Sequence, residues 1–117
     1  MAGKYELKDA KGGKFHFNLK AGNGQIILSS EIYETKKAAE KGIESVRKNG
    51  PNEKRFEKKA STKKQPYFVL KASNGEPIGK SEMYNTEASR DKGIASVIKN
   101  SADARVADMT APPAPKK

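Results

Sequence analysis

The 117 residues carry 24 Lys and Arg against 14 Asp and Glu, a formal charge of +10 with one histidine, and only 34% are hydrophobic. That length suits one domain with one modest core, and the absence of cysteine excludes disulfides, Cys-ligated zinc and thiol nucleophiles. A surplus of positive charge on this scale concentrates polyanions near the surface, so nucleic acid or an acidic protein is the partner class it favours.

The chain opens with MAGKYELKDAKGGK, which lacks the apolar run of a secretory signal, and nowhere does it approach the roughly 18 apolar residues of a membrane span. A soluble, cytoplasmic protein without membrane contact is expected. A short strand is expected around Tyr5 to Lys8. Next, Phe15, Phe17 and Leu19 alternate with His16, Asn18 and Lys20, the period of a strand with one buried face. AGNG follows, and Asn-Gly between apolar runs is a strong hairpin signal because both residues tolerate positive φ. A three-residue loop with Gly24 as a left-handed bulge predicts that Leu19 faces Ile27. Thr35 then precedes Ala39, Ile43 and Val46 at helical spacing, so it is the predicted N-cap. Asn49-Gly50-Pro51 should end this helix, since Asn and Gly accept the left-handed conformation and Pro cannot continue.

The second half restates the first. From Phe17/Phe68 to Asn49/Asn100 the chain aligns with itself at an offset of 51 without a gap, and 18 of those 33 pairs are identical. Such self-similarity marks a duplication. The same offset lays FEKK (Phe56 to Lys59) on YELK and predicts a three-residue turn at ASNG, with Leu70 facing Ile78. Thr86 becomes the cap of a second helix bearing Ile94, Val97 and Ile98. Gly42 and Gly93 both fall inside helices, where Gly costs about 0.8 to 1 kcal/mol relative to Ala; the doubled cost predicts a backbone pressed too closely against a neighbour for a Cβ. A hairpin and one helix cannot cover their own sheet. The expected fold is therefore α+β: two tandem β3-α(-β) repeats, about 4–53 and 55–109, forming one antiparallel sheet with both helices on one face. A pseudo-twofold should relate them within a single domain, 1–110, with ARVADM as a last strand closing an edge. The tail, TAPPAPKK, is Pro-rich, and residues 111–117 are expected to be disordered.

FNLKAGNG, ILSSEIY and KGIESVRKN, echoed by FVLKASNG, IGKSEMY and KGIASVIKN, resemble the YegP-like family of small bacterial proteins in its tandem two-repeat form. The resemblance covers nearly the whole chain apart from the tail. It implies a β3-α-β unit that pairs with its twin into one sheet with exchanged C-terminal strands. It implies no chemistry, because the family is a domain of unknown function.

Little in the residues suggests catalysis. His16 is the sole histidine, so no His-based metal cluster is available, and on an alternating strand it should face solvent. GGK and GNG lack the spacing and the Lys-Ser/Thr ending of a phosphate-binding loop. No catalytic residue, cofactor or metal is expected, and the chain reads as a monomeric, non-enzymatic accessory or interaction module. The alternative is polyanion binding through Lys20 and Lys71 on the sheet face opposite the helices, where His16, Asn18, Tyr67 and Val69 should also appear, together with Lys54, Arg55, Lys58, Lys59, Lys63 and Lys64 between the repeats. A further alternative is a small ligand held between the repeats. It draws on the doubled phrase S-E-x-Y-x-T, which would set Glu31, Tyr33, Glu82 and Tyr84 around a shared groove; the competing view makes that phrase a joint that caps and packs the helix entry.

Overall fold

In the first repeat, β1 (Lys4–Ala10), β2 (Lys14–Lys20) and β3 (Ile26–Ser30) lead into α1 (Lys36–Asn49). In the second, β4 (Phe56–Ala60), β5 (Pro66–Lys71) and β6 (Pro77–Lys80) lead into α2 (Glu87–Asn100), and β7 (Arg105–Asp108) follows. These elements come from a computed structural model that describes residues 3–110. The tail 111–117 lies outside the described residues.

The strands form one seven-stranded sheet in the order β4-β5-β6-β3-β2-β1-β7. At its centre β3 and β6 run antiparallel with Ser29 opposite Lys80. These two residues are equivalent in the duplication, so the pseudo-twofold passes between them. Five of the six strand junctions are antiparallel, but β7 lies parallel to β1, with Lys4 opposite Arg105 and Leu7 opposite Asp108. The sheet is therefore mixed. Its last strand takes its direction from the end of α2: Asn100 Oδ1 accepts from Gly3 N at 3.0 Å, and the Tyr5 hydroxyl donates to the Ser101 carbonyl at 2.5 Å. The chain leaving α2 thus starts beside the beginning of β1 and runs along it the same way.

Both hairpins use the three-residue loop. Ala21 N bonds Gln25 O and Gly24 N bonds Ala21 O, each at 2.9 Å, with Gly24 at φ +86°; Ala72, Glu76 and Gly75 repeat the pattern. The register beyond the loop differs from the sequence expectation. Lys20 faces Ile26, but Leu19 faces Leu28 and not Ile27, and Leu70 faces Gly79 and not Ile78. One extra residue, Ile27 or Ile78, is absorbed in a bulge. A bulge breaks strict alternation, which is why the adjacent Ile27 and Leu28 are both buried.

Each helix starts as expected. Thr35 Oγ1 accepts from Ala38 N and Thr86 Oγ1 from Ser89 N, both at 3.0 Å. The end of α1 is different: Gly50 keeps right-handed helical dihedrals (φ −58°, ψ −36°) and its N–H bonds Val46 O. Glycine is needed there for space, because a Cβ would overlap the side chain of Ser101 where the two helix ends meet. Both helices cover the same face of the sheet, and each reaches across the twofold: α1 packs on β1 and β2 but also on β5 and β6, and α2 on β5 and β3. Tyr5, Leu7, Phe17, Leu19, Leu28, Ile43, Val46, Phe68, Leu70, Ile94 and Val97 form one contiguous core. No helix among the described residues is long and apolar enough to cross a membrane.

Candidate functional site

The sheet face opposite the helices is built by strand alternation. On β1, Tyr5 and Leu7 point into the core, so Lys4, Glu6 and Lys8 point away from it. Pairing then draws a row straight across the sheet: Glu57, Val69, Lys80, Ser29, Asn18, Glu6 and Ala107, one from each strand. The pairs Lys4–Lys20 and Lys59–Tyr67 flank the row on one side, and the pair Lys8–His16 and Lys71 flank it on the other. His16, Asn18, Lys20, Tyr67, Val69 and Lys71 therefore share the face the sequence assigns them. His16 is half-buried, Asn18 and Val69 are buried, and Lys80 is exposed.

Two carboxylates organise the charge. Glu6 is only 4% exposed, and Lys4, Lys8 and Lys20 reach it at 3.3, 3.3 and 3.1 Å. Burial alone would raise its pKa, but the hydrogen bonds from Lys20, Lys4 and Lys8 outweigh it and bring the carboxyl from the usual 4.5 down to about 2. Its twin, Glu57, takes Lys71 at 2.6 Å and Lys59 at 4.0 Å. The Lys71 hydrogen bond lowers its pKa against a smaller opposing effect of burial. Each carboxylate thus holds several ammonium groups in place on the face while neutralising one. Lys4, Lys8, Lys59 and Lys80 belong to this array, and of these the sequence singles out only Lys59. The signal for Lys4 and Lys8 is in KYELK, where Lys4, Glu6 and Lys8 fall at period two; Lys80 joins them only through the pairing of β6 with β3 and β5.

The charge run between the repeats is dispersed by the fold. Lys54 and Arg55 sit in a 3-10 turn, Glu53–Arg55. Lys58 turns to the helix side, 3.3 Å from Asp91 of α2, whereas Lys59 turns to the open side beside Glu57. Lys63 and Lys64 occupy the β4–β5 loop, with Lys64 at φ +64°. Only Lys59 of this run joins Lys20 and Lys71.

The doubled phrase is put to structural use at its serines, tyrosines and threonines. Ser30 Oγ accepts from Phe17 N at 2.8 Å and donates to the Glu31 carbonyl at 2.7 Å, so a hydroxyl stands in the ladder where a backbone carbonyl would. Ser81 does the same with Phe68 N and Glu82 O. Tyr33 stacks on Phe17 with centroids 6.1 Å apart, and Tyr84 on Phe68 at 6.4 Å. Their hydroxyls fill the space that a Cβ on Gly42 or Gly93 would need; this is the close approach that the mid-helix glycines predict. Burial, with the neighbouring Glu31 or Glu82 adding to it, pushes both phenols above their ordinary pKa. The two Glu–Tyr pairs do not come together in one groove: the cleft lined by Glu82 and Tyr84 is walled by Lys20, Gly24, Gln25, Ile26 and Ile27 of the first hairpin. Among the described residues, no group of three or more His, Cys, Asp or Glu is gathered as a metal would need.

Comparison with known proteins agrees with this architecture. The family described as "Domain of unknown function (DUF1508)" matches twice, over residues 10–57 and 61–108, one match to each repeat. UPF0339 protein YegP of Yersinia pestis is 54% identical over 108 residues, covering 92% of this chain and 96% of the relative. YegP of Escherichia coli K12 is 52% identical over 110 residues, covering 94% of this chain and all of the relative. The solution NMR structure of yegP from E. coli, a protein of unknown function, superposes with a TM-score of 0.89 at 50% identity over 97% of each chain. The UPF0339 protein SO3888 of Shewanella oneidensis gives 0.87 at 47% identity, covering 94% of this chain and 93% of that one. This chain is accordingly a two-repeat, YegP-like member of the DUF1508 family, whose function is unknown.

Proposed function

We propose that this protein is a non-enzymatic binding module that lays a polyanionic chain across its open sheet face. The observation that carries the reading is the lysine array: Lys4, Lys8, Lys20, Lys59, Lys71 and Lys80 outnumber Glu6 and Glu57 on one surface, and the carboxylates hold five of these ammonium groups in position. Fixed ammonium groups bind phosphates largely by releasing condensed counterions, so such binding has a steep salt dependence and little sequence preference. Tyr67 and His16 lie on the same face and offer ring surface to unstacked bases.

Fluorescence anisotropy with a labelled single-stranded oligonucleotide across a salt series tests this reading. Log affinity should fall linearly with log salt, and K20A/K71A should flatten the slope by roughly 1 for each phosphate deprived of its ammonium partner. Absence of binding at low salt, or a slope unchanged in the double variant, would remove the proposal.

A further inference from the structure

Tyr67 is an aromatic side chain that the fold does not use. The other seven Phe and Tyr residues lie in the core or pack against it, and six of them form ring pairs. Tyr67 projects from β5 on the open face, half-buried, and its hydroxyl makes no hydrogen bond among the described residues. Beside it stands an exposed apolar side chain. Tyr84 N donates to Pro66 O at 2.8 Å, which carries the pairing of β5 past the end of β6 and sets Met83 opposite Tyr67. Tyr84 turns to the helices, where it stacks on Phe68, so Met83 turns the other way and is 42% exposed. Val69, two residues along β5, extends this apolar patch toward the centre of the face.

The charge around the patch is positive and largely uncommitted. Lys59 is the cross-strand partner of Tyr67 and reaches Glu57 only at 4.0 Å, while Lys71 takes that carboxylate at 2.6 Å. Lys63 and Lys64 stand in the adjoining β4–β5 loop and Lys80 stands opposite Val69; these three make no ion pair among the described residues. Glu82 is the neighbouring carboxylate: it precedes Met83, lies beside Tyr84 and lines a cleft that Lys20 also lines. The duplication supplies an internal contrast. In the first repeat the same places hold His16 and Ile32, and Lys14 and Glu34 join at 3.2 Å beside them. Gln65 and Asn85 replace that ion pair in the second repeat, which therefore has the larger ring and the less acidic rim.

We propose that Tyr67 and Met83 form a seat for one unpaired base, so that the ligand of the open face is single-stranded nucleic acid. The base lies on the Tyr67 ring with an edge against Met83, and Lys59, Lys64 and Lys80 take the phosphates on either side. This inference rests on the polyanion reading above and narrows it. Lysines alone accept any polyanion, whereas a ring stacked on a base adds affinity that a base-free chain cannot gain. Such stacking tolerates any sequence, because every base has a π-face. A duplex keeps its bases inside the helix and gains nothing from the seat.

Two fluorescein-labelled probes of equal length test the seat on the full-length protein: a strand of about twelve thymidines, and the same sugar-phosphate chain built from abasic sites. At one salt concentration the thymidine strand should bind about tenfold tighter than the abasic one. Tyr67→Thr and, separately, Met83→Thr should bring the thymidine strand down toward the abasic affinity, with the salt slope kept and melting like the parent. In NMR spectra the thymidine strand should shift the Tyr67 ring and Met83 methyl protons through base ring currents, and the abasic strand should not. K20A/K71A should weaken both probes alike, which separates the phosphate contacts from the seat. Equal affinity of the two probes for the parent protein would overturn this inference and leave the polyanion reading standing. Affinity for thymidines unchanged in Met83→Thr and Tyr67→Thr would overturn it as well. Binding of neither probe at low salt would remove both.

Discussion

Gly42 and Gly93 show how one residue can carry a packing decision. Glycine inside an exposed helix normally gains about 0.8 to 1 kcal/mol when replaced by Ala. Here the hydroxyl and ring of Tyr33 or Tyr84 fill the space, and overpacking costs typically 1 to 3 kcal/mol. Gly42→Ala and Gly93→Ala should therefore each destabilise, by about 1 to 2 kcal/mol net in urea unfolding; a stabilised variant would mean that the tyrosine moves aside freely. The sequence showed that something had to lie against these glycines, since both copies retain the penalty. It did not show the hydroxyl of Ser30 or Ser81 acting in the ladder, because a serine at a strand end has many possible partners and only the bulged register brings it to Phe17 N or Phe68 N.

Strands and hairpins were legible where alternation holds and obscure where it breaks. The three-residue loops follow from Asn-Gly chemistry, yet the bulges at Ile27 and Ile78 do not: Ile27 and Leu28 fit either register until the core selects one, and in the second repeat Leu70 faces Gly79, which lies close against Leu28 across the twofold. The Lys54 to Lys64 run misled for a related reason: neighbours in sequence are separated by alternation, so Lys58 meets α2 and Lys59 meets Glu57. The Glu6 clamp between β1 and β2 makes a prediction about acid. Its folded pKa, about 2, lies below the usual 4.5, so its stabilisation is present above about pH 4.5 and is lost as pH falls toward 2. Urea unfolding should show the wild type more stable than Glu6→Gln at neutral pH, with the gap closing between about pH 4.5 and 2. A gap independent of pH would mean that the lysines do not hold the charged form.

At the scale of the molecule, the duplication made a shared sheet with both helices on one face legible, while the parallel direction of β7 was not. That direction depends on the contacts of Asn100 with Gly3 and Tyr5 with Ser101, close to a hundred residues apart in the chain and without a local pattern. The same contacts tie the end of the second repeat to the start of the first, and α1 packs on strands of both. The account rests on that interdependence: the halves should open together. Native-state hydrogen exchange on the parent and on Val97→Ala, a core truncation in α2, measures it directly. The slowest amides of β2 and β5 should share one opening free energy, and the variant should lower both equally. Loss of protection confined to β4, β5, β6 and α2, with β2 unchanged, would contradict the account by showing that each repeat is stable alone.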